Sequence, residues 1–297
     1  MDKISVIGAG TMGSGIAHVF AQHGFHVHLI DTQSNQLKKS LESISKNLER
    51  QVQKGSLSAE EKINSYNRIS LFDSIKPGVH ESDLIIEAAT ENEEIKIQIF
   101  RELDKYAMST AILATNTSSI SITKIAAETK RPSQVIGMHF MNPVPIMKLV
   151  EVINGYATNA SVTNKIVELS ILLGKTPCVV NDYPGFISNR ILMPMINEAI
   201  LSFQEGVASV ETIDSIMKLG MAHPMGPLQL ADFIGLDVCL AILTVLKNGF
   251  GNPKYSPATL LVNMVAAGKL GIKSKEGFYD YRDGGKELVV SARLRKV

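Results

Sequence analysis

The chain has 297 residues, 45% of them hydrophobic, a size that suits about two domains with sizeable cores. A formal net charge of +1 and the absence of Trp argue against a nucleic-acid-binding surface, and no apolar run approaches the roughly 20 residues of a membrane helix. Because the N-terminus lacks a signal-peptide pattern, we expect a cytoplasmic protein with no nucleic-acid or membrane partner, in which Cys178 and Cys239 are buried free thiols.

The N-terminal stretch carries the pattern strand, glycine-rich turn, helix, strand, acid. Residues 3–7 are rich in β-branched side chains, and a G-x-G-x-x-G turn follows at once. Apolar residues then recur at helical spacing over 16–21, and a second expected strand at 26–30 ends at Asp31. This arrangement favours a dinucleotide-binding βαβ unit over a purely structural turn.

Each part of this pattern has a physical task. Gly8 permits the tight turn, Gly10 lets the backbone approach a pyrophosphate, and Gly13 allows the helix to pack closely on the strand. The helix N-terminus presents free N–H groups and a positive dipole end to the phosphates. Asp31 can accept hydrogen bonds from ribose hydroxyls and would repel a 2′-phosphate, so the pattern predicts NAD rather than NADP.

A helical pair is expected as an insertion at about residues 34–66. Apolar residues recur every three or four positions across 34–54, and Ser58 and Glu61 have the spacing of a capping box. The pair either packs and presents solvated charge, or it helps to hold a substrate. In the second case Lys54 offers a point charge for a phosphate.

Strands and helices alternate as far as residue 180. Further strands are expected at 70–72, 83–87, 111–114, 135–138 and 177–180. The alternation predicts an α/β fold, a Rossmann-type and mostly parallel sheet with helices on both faces. Ligands of such sheets bind beyond the carboxyl ends of the strands, where one crevice can gather polar residues that follow predicted strands. These residues are Glu91, Asn116, Ser118 and His139.

The strand signal ends at a turn-rich stretch, residues 181–185, where we place the domain boundary. The remaining pattern predicts an all-α C-terminal domain with helices at 187–206, 209–219, 228–247 and 260–267. The third of these is apolar on nearly every face and is therefore expected to be buried, with another subunit as one candidate partner. The expected domains are 1–183 and 184–283, followed by a loose charged tail at 284–297.

Residues 139–151, HFMNPVPIMKLVE, join two apolar runs and carry a histidine and a carboxylate. Pro143 and Pro145 fix φ and remove backbone donors, which favours a chain reversal. His139 at the end of one strand can then meet Glu151 on the next. A surface hairpin with two incidental polar residues fits the same spacing. The alternative is an imidazole held by a carboxylate, which suits general acid–base chemistry because imidazole titrates near neutral pH.

Several longer motifs occur along the chain as far as residue 281. They read GAGTMGSGIA, EAATEN, TNTSS, HFMNPVPIMKLVEVI, PGFISNR, MKLGMAHPMGPLQLADFIGLD and EGFYDY. Together they resemble the L-3-hydroxyacyl-CoA dehydrogenase family, and in particular its bacterial 3-hydroxybutyryl-CoA branch. The resemblance implies NAD-dependent oxidation of an (S)-3-hydroxyacyl-CoA, expected to be 3-hydroxybutyryl-CoA, to the 3-oxoacyl-CoA and its reverse, within fatty-acid β-oxidation or butanoate metabolism.

The resemblance also implies roles for single residues. His139 would be the catalytic base and Glu151 its partner, Ser118 and Asn189 would contact the substrate, and Lys54 would hold the phosphates of CoA. The positions implied for NAD are Gly8, Gly10, Thr11, Met12, Gly13, Asp31, Glu91, Lys96, Asn116, Ser118, Asn142 and Lys275. Members of the family form dimers through the C-terminal helical domain, so we expect a homodimer.

The chain departs from the family pattern at Met141, where a second phenylalanine is frequent, and at Ser274-Lys275-Glu276, which replaces the Thr-Gly that is frequent before GFY. Neither change removes a catalytic group. One rival is a dehydrogenase of a free hydroxy acid on a related fold, although its best-known branch relies on a catalytic lysine. The other is a non-catalytic, crystallin-like NAD-binding protein, and retention of the histidine and its implied partners argues against it.

Overall fold

A computed structural model describes residues 1–284 and 287–295 of the chain. The chain divides into two compact units, residues 1–183 and residues from 184 onward. The division lies within the turn-rich stretch where the sequence ceases to alternate between strands and helices. Part of the expected tail, residues 285–286 and 296–297, lies outside the described residues.

The N-terminal unit is built on a mostly parallel sheet. Within the described residues this sheet has eight strands, in the order β3-β2-β1-β4-β5-β6-β7-β8. Strand β6 pairs antiparallel with β7, and the other neighbouring strands are parallel. The strands are β1 Lys3–Ile7, β2 His26–Ile30, β3 Ile69–Phe72, β4 Leu84–Glu87, β5 Ile112–Thr115, β6 Val135–Phe140, β7 Leu149–Asn154 and β8 Thr176–Asn181.

Helices connect these strands and cover the sheet. They are α1 Thr11–Gln22, α2 Ser34–Gln53, α3 Ala59–Asn67, α4 Ile75–Val79, α5 Glu93–Tyr106, α6 Ile122–Ala126 and α7 Ala160–Leu172. The expected helical insertion is present as α2 and α3. Helix α2 buries a stripe that includes Leu37, Ile44 and Leu48, and α3 begins with the predicted capping box of Ser58 and Glu61. The Rossmann-type α/β prediction is thus confirmed.

One strand boundary differs from the prediction in a way that matters for the site. The sequence places His139 just after a strand at 135–138, whereas β6 continues to Phe140 and every residue in it is buried. His139 therefore lies inside a strand and faces Glu151 of β7 as its register partner. The strand is longer because the antiparallel ladder with β7 supplies backbone partners that local sequence does not reveal.

The C-terminal unit is mainly helical, as predicted. The prediction of one continuous helix at 228–247, however, is wrong. That segment forms two helices that meet at Gly235, where φ is +104°, and the bend between them is 97°. A glycine can take this φ because it has no Cβ. The helices of this unit are α8 Ser188–Gln204, α9 Val210–Gly220, α10 Pro227–Ile234, α11 Leu236–Phe250 and α12 Thr259–Ala266.

Within the described residues, no single helix has the length and apolar composition to cross a membrane. The bent pair α10 and α11 meets that length and composition test only when its two members are taken together.

Two further expectations are corrected by the structure. The segment after residue 284 is not uniformly loose, because Val289–Val290 forms β10, which pairs antiparallel with β9, Tyr279–Asp280, and Val290 is buried. Cys178 is exposed rather than buried, since its strand β8 lies at the edge of the sheet, whereas Cys239 is buried as expected.

Candidate active site

The centre of the site is a histidine–carboxylate contact between two strands. His139 on β6 and Glu151 on β7 are register partners, and His139 Nδ1 lies 2.8 Å from Glu151 Oε2. Their exposed fractions are only 6% and 2%, so the surface-hairpin alternative is excluded. A charge-assisted hydrogen bond in a buried place of this kind holds the imidazole ring in one orientation.

The other ring nitrogen of His139 faces a hydroxyl group. Ser118 Oγ, in the segment between β5 and α6, lies 3.1 Å from His139 Nε2. The serine, the imidazole and the carboxylate of Glu151 thus form a continuous hydrogen-bonded row. Such a row can take up or release a proton at Nε2 while the carboxylate stabilises the charged ring.

Glu91 organises the segment that carries Ser118. Its Oε1 accepts hydrogen bonds from Thr117 Oγ1 at 2.6 Å, Ser118 N at 2.9 Å, Ser119 N at 3.1 Å and Ser119 Oγ at 3.0 Å. The side chain of Glu91 is nevertheless 42% exposed, so one carboxylate contacts both the buried Lys96 and the solvent. The structure therefore assigns to Glu91 a contact with the loop, in addition to any contact with a ligand.

Lys96 is buried and lies among carboxylates. Its Nζ donates to Glu87 Oε1 at 2.7 Å and Oε2 at 2.9 Å, and it lies 3.5 Å from Glu91 Oε2. Thr115 Oγ1 also donates to Glu87 Oε2, at 2.7 Å. Sequence reasoning named Lys96 but missed Glu87 and Thr115. The signal was present, because a carboxylate at the end of an otherwise apolar buried strand needs an internal partner.

Asn116 ties β5 to β6. Its Oδ1 accepts a hydrogen bond of 2.8 Å from Phe140 N, and the residue is 8% exposed. One polar atom of this side chain is thus used in a structural hydrogen bond to the residue that follows His139. Asn142, two residues beyond β6, is exposed.

The glycine turn has the geometry that a dinucleotide requires. Gly8 has a φ of +94°, and a Cβ on it would lie 2.7 Å from the carbonyl oxygen of Ala88. A Cβ on Gly13 would overlap the carbonyl oxygen of Gly8, so a side chain there would separate helix from strand. A Cβ on Gly10 would meet no described atom within 4 Å, which leaves open space beside the turn for a phosphate.

Asp31 stands beside this turn at the end of β2. Its Oδ2 accepts a hydrogen bond of 2.8 Å from Ala9 N, and its Oδ1 accepts one of 2.9 Å from Gln33 N. It lines a cavity of about 350 Å³ together with Gly8, Ala89 and Ile95. A carboxylate at the rim of a cavity next to a glycine turn fits the adenosine half of a dinucleotide.

The segment between β6 and β7 is held by a buried lysine that sequence reasoning did not single out. Lys175 Nζ donates to the carbonyl oxygens of Val144, at 2.5 Å, and Met147, at 2.8 Å. Burial lowers the pKa of Lys175, and the nearby charge of Lys148 lowers it further. The clue in the sequence was a lysine between a helix-ending glycine and a strand, where a charged side chain lies close to the sheet.

The remaining predicted positions lie elsewhere. Thr11 and Met12 are in the first turn of α1, exposed and half-buried respectively, and Lys54 is exposed at the C-terminal end of α2. Asn189 and Lys275 belong to the C-terminal unit.

Asn189 is the second residue of α8. Lys275 has a φ of 63°, a conformation that glycine adopts readily.

A mostly parallel sheet and a glycine turn followed by an acid at a strand end place the chain in the class of NAD-binding Rossmann-type proteins. Two family profiles support this assignment. Residues 3–183 match the 3-hydroxyacyl-CoA dehydrogenase NAD-binding domain, and residues 185–281 match the C-terminal domain of the same family.

Individual relatives agree with the profiles. The chain is 52% identical over 281 residues to a probable 3-hydroxybutyryl-CoA dehydrogenase of Bacillus subtilis, covering 95% of this chain and 98% of the relative. It is 41% identical to the mitochondrial hydroxyacyl-coenzyme A dehydrogenase of Homo sapiens, with 94% and 91% covered. The crystal structure of (S)-3-hydroxybutyryl-CoA dehydrogenase from Ralstonia eutropha superimposes with a TM-score of 0.91 at 45% identity, covering 93% of this chain and 98% of that one. The chain therefore belongs to the 3-hydroxyacyl-CoA dehydrogenase family.

Proposed function

We propose that the protein interconverts an (S)-3-hydroxyacyl-CoA and the 3-oxoacyl-CoA, with 3-hydroxybutyryl-CoA as its preferred substrate and His139 as general base and acid. The observation that carries the catalytic role is the buried contact of His139 with Glu151 on one side and Ser118 on the other. The preference for a four-carbon chain rests on the names of the relatives that share about half of the sequence.

His139 would handle the proton of the reaction. With its Nδ1 proton donated to Glu151, Nε2 is left as the acceptor for the hydroxyl proton of the substrate. The carboxylate of Glu151 stabilises the imidazolium that forms, and in the reverse direction the imidazolium returns the proton to the carbonyl oxygen. A positioned general base of this kind contributes about 10²–10⁴-fold to the rate. NAD, when bound, accepts the hydride.

Ser118 and Asn189 would orient the substrate. Because Ser118 Oγ lies 3.1 Å from Nε2, a substrate oxygen received at Nε2 also meets the serine hydroxyl. For the cofactor, the glycine turn and the N-terminus of α1 would hold the pyrophosphate, and Asp31 the adenosine ribose. The other proposed cofactor contacts are Thr11, Met12, Glu91, Lys96, Asn116, Ser118, Asn142 and Lys275.

Three expectations stay predictions. Lys54 would hold the phosphates of CoA as a point charge, a role supported by its exposure at the end of α2. The C-terminal unit would form the homodimer contact. The protein would be cytoplasmic.

The test follows NADH absorbance with acetoacetyl-CoA and, separately, with free acetoacetate. We expect oxidation of NADH with the thioester only, and a loss of at least about a hundredfold in kcat for His139→Gln with NADH binding nearly intact. Rates with 3-oxoacyl-CoAs from four to sixteen carbons then measure the chain-length preference. Activity with the free acid alone would support the rival dehydrogenase, and NADH binding without turnover would support a non-catalytic protein.

A further inference from the structure

Glu87 is an acid at the end of β4 that the proposed reaction does not use. It is 0% exposed, and each of its oxygens is occupied. Its Oε1 accepts from Ala89 N at 2.7 Å and from Lys96 Nζ at 2.7 Å, while Oε2 accepts from Lys96 Nζ at 2.9 Å and Thr115 Oγ1 at 2.7 Å. A carboxylate held at this many points occupies one position.

Lys96 lies between the fixed carboxylate of Glu87 and the carboxylate of Glu91. The ammonium is 1% exposed and is held by both oxygens of Glu87, so its position depends on that carboxylate. It lies 3.5 Å from Oε2 of Glu91, whose side chain is 42% exposed. An exposed carboxylate samples several rotamers unless a neighbouring charge favours one of them. Lys96 is such a charge for Glu91.

Glu91 in turn holds the segment of Thr117 to Ser119. Its second oxygen, Oε1, accepts hydrogen bonds from the backbone N–H groups of Ser118 and Ser119, among others. Ser118 Oγ then lies 3.1 Å from His139 Nε2. A chain of hydrogen bonds and one ion pair of 3.5 Å therefore runs from Glu87 at the end of β4 to His139 Nε2, the nitrogen at which the proton would be transferred.

We propose that Glu87 is a positioning residue, which acts through Lys96 and Glu91 to place the Ser118 hydroxyl against His139. The role rests on the proposed function, because it requires the Ser118–His139 contact to take part in turnover. It predicts that a change at Glu87, although the residue lies inside the sheet, affects kcat through Ser118.

The test is a double-mutant cycle between Glu87→Gln and Ser118→Ala, measured as kcat with saturating NADH and acetoacetyl-CoA. Glu87→Gln keeps the size of the side chain but removes the charge that holds Lys96. We expect about a tenfold fall in kcat in the wild-type background and less than about a twofold fall in the Ser118→Ala background, since the hydroxyl to be positioned is already gone. The pH profile of kcat should change only where Ser118 is present.

Controls separate positioning from stability. Asp104→Asn removes the carboxylate of another largely buried ion pair on the same helix α5, that of Asp104 with Arg131 at 2.9 Å. It should lower Tm and leave kcat and its pH profile unchanged. If Glu87→Gln fails to fold, Glu87→Asp keeps the charge but shortens the side chain, and it should give a smaller fall in kcat with the same dependence on Ser118.

Equal falls in kcat for the Glu87 variants in both backgrounds, with Ser118→Ala itself impaired, would overturn the positioning role and leave the proposed function intact. The same holds if the Glu87 variants turn over at the wild-type rate. Full activity of Ser118→Ala or of His139→Gln would instead contradict the proposed function, and the inference about Glu87 with it.

Discussion

Glu151 contacts the ring of His139 through one hydrogen bond of 2.8 Å, from β7 to β6. At the scale of single residues, under the proposed function this bond would decide which ring nitrogen carries the proton and therefore which nitrogen acts as the base. The contact exists because the two residues are register partners in the antiparallel pair of strands. A shift of β7 by one residue against β6 would turn Glu151 to the opposite face of the sheet, away from His139.

Glu151→Gln tests the role of the carboxylate. The amide can still accept the Nδ1–H bond, but it no longer stabilises the imidazolium by its charge. We expect kcat for acetoacetyl-CoA reduction to fall by about tenfold or more, and the pH–rate profile to move toward lower pH, because protonation of the ring becomes less favourable. Steady-state rates between pH 5 and 9 provide the measurement. An unaltered rate and profile would mean that Glu151 only supports the strand.

Asp31→Ala tests the choice of cofactor. The aspartate accepts from Ala9 N and Gln33 N, so it both supports the glycine turn and places a negative charge beside the cavity. Removal of that charge should reduce the preference for NADH over NADPH, because repulsion of a 2′-phosphate is lost. The ratio of kcat/KM values for the two cofactors measures this effect. Asp31→Asn removes the charge but keeps the size of the side chain and one of the two accepting oxygens, so comparison with Asp31→Ala separates the charge from part of the support of the turn.

At the scale of elements, the segment between β6 and β7 must return the chain so that Glu151 reaches His139. Lys175, just before β8, holds this return through the carbonyl oxygens of Val144 and Met147. A buried ammonium between carbonyl groups is a costly way to hold a loop, since burial lowers its pKa. Through this contact, the residue just before β8 holds the segment between β6 and β7 that brings Glu151 back to His139.

Lys175→Met should loosen the return while filling a similar volume. We expect kcat to fall by about tenfold, because the Val144 and Met147 carbonyl groups are left unpaired and the return is no longer held. We expect only a modest fall in Tm, because the methionine packs in the same space. Lys165→Met, at an exposed position on α7 of the same unit, is the matched control and should change neither quantity. A variant with normal kcat would show that the prolines alone maintain the return.

At the scale of the whole molecule, buried acids organise the C-terminal unit. Asp232 on α10 accepts hydrogen bonds from the backbone N–H groups of Phe278, at 2.9 Å, and Tyr279, at 2.8 Å. The carboxylate thereby ties the segment of Phe278 and Tyr279 to α10. Burial raises the pKa of Asp232 from its ordinary value of 3.8 to about 6, and the hydrogen bonds from Tyr279 and Phe278 oppose this shift.

This shift predicts a pH dependence of stability. A raised pKa means that the folded state binds the proton more tightly than the unfolded state, so the stabilisation is complete below pH 3.8 and is lost as pH rises to about 6. The difference in unfolding free energy between wild type and Asp232→Asn should therefore fall across that window, by at most about 1.4 kcal/mol per pH unit. Urea unfolding between pH 4 and 7 measures it. A constant difference would mean that Asp232 titrates alike in both states.

Local signals in the sequence were sufficient for much of the fold. The boundaries of β1 and β2 match the predicted ones, and the capping box of Ser58 starts α3 where it was expected. These features depend on residues only a few positions apart. The break at Gly235 and the two-residue strands β9 and β10 were missed, because one glycine in an apolar helical pattern is ambiguous and so short a strand depends on its distant partner.

By itself the sequence determined the class of the protein, since a glycine turn, an acid at a strand end and family motifs are properties of short stretches. It also named His139, Glu151 and Ser118. Only the tertiary structure decided that these three lie in contact, and that Glu87, Lys96 and Glu91 extend the contact into the interior of the sheet. The physical reason is that these bonds join different strands and loops, and the register that brings them together is a property of the sheet as a whole.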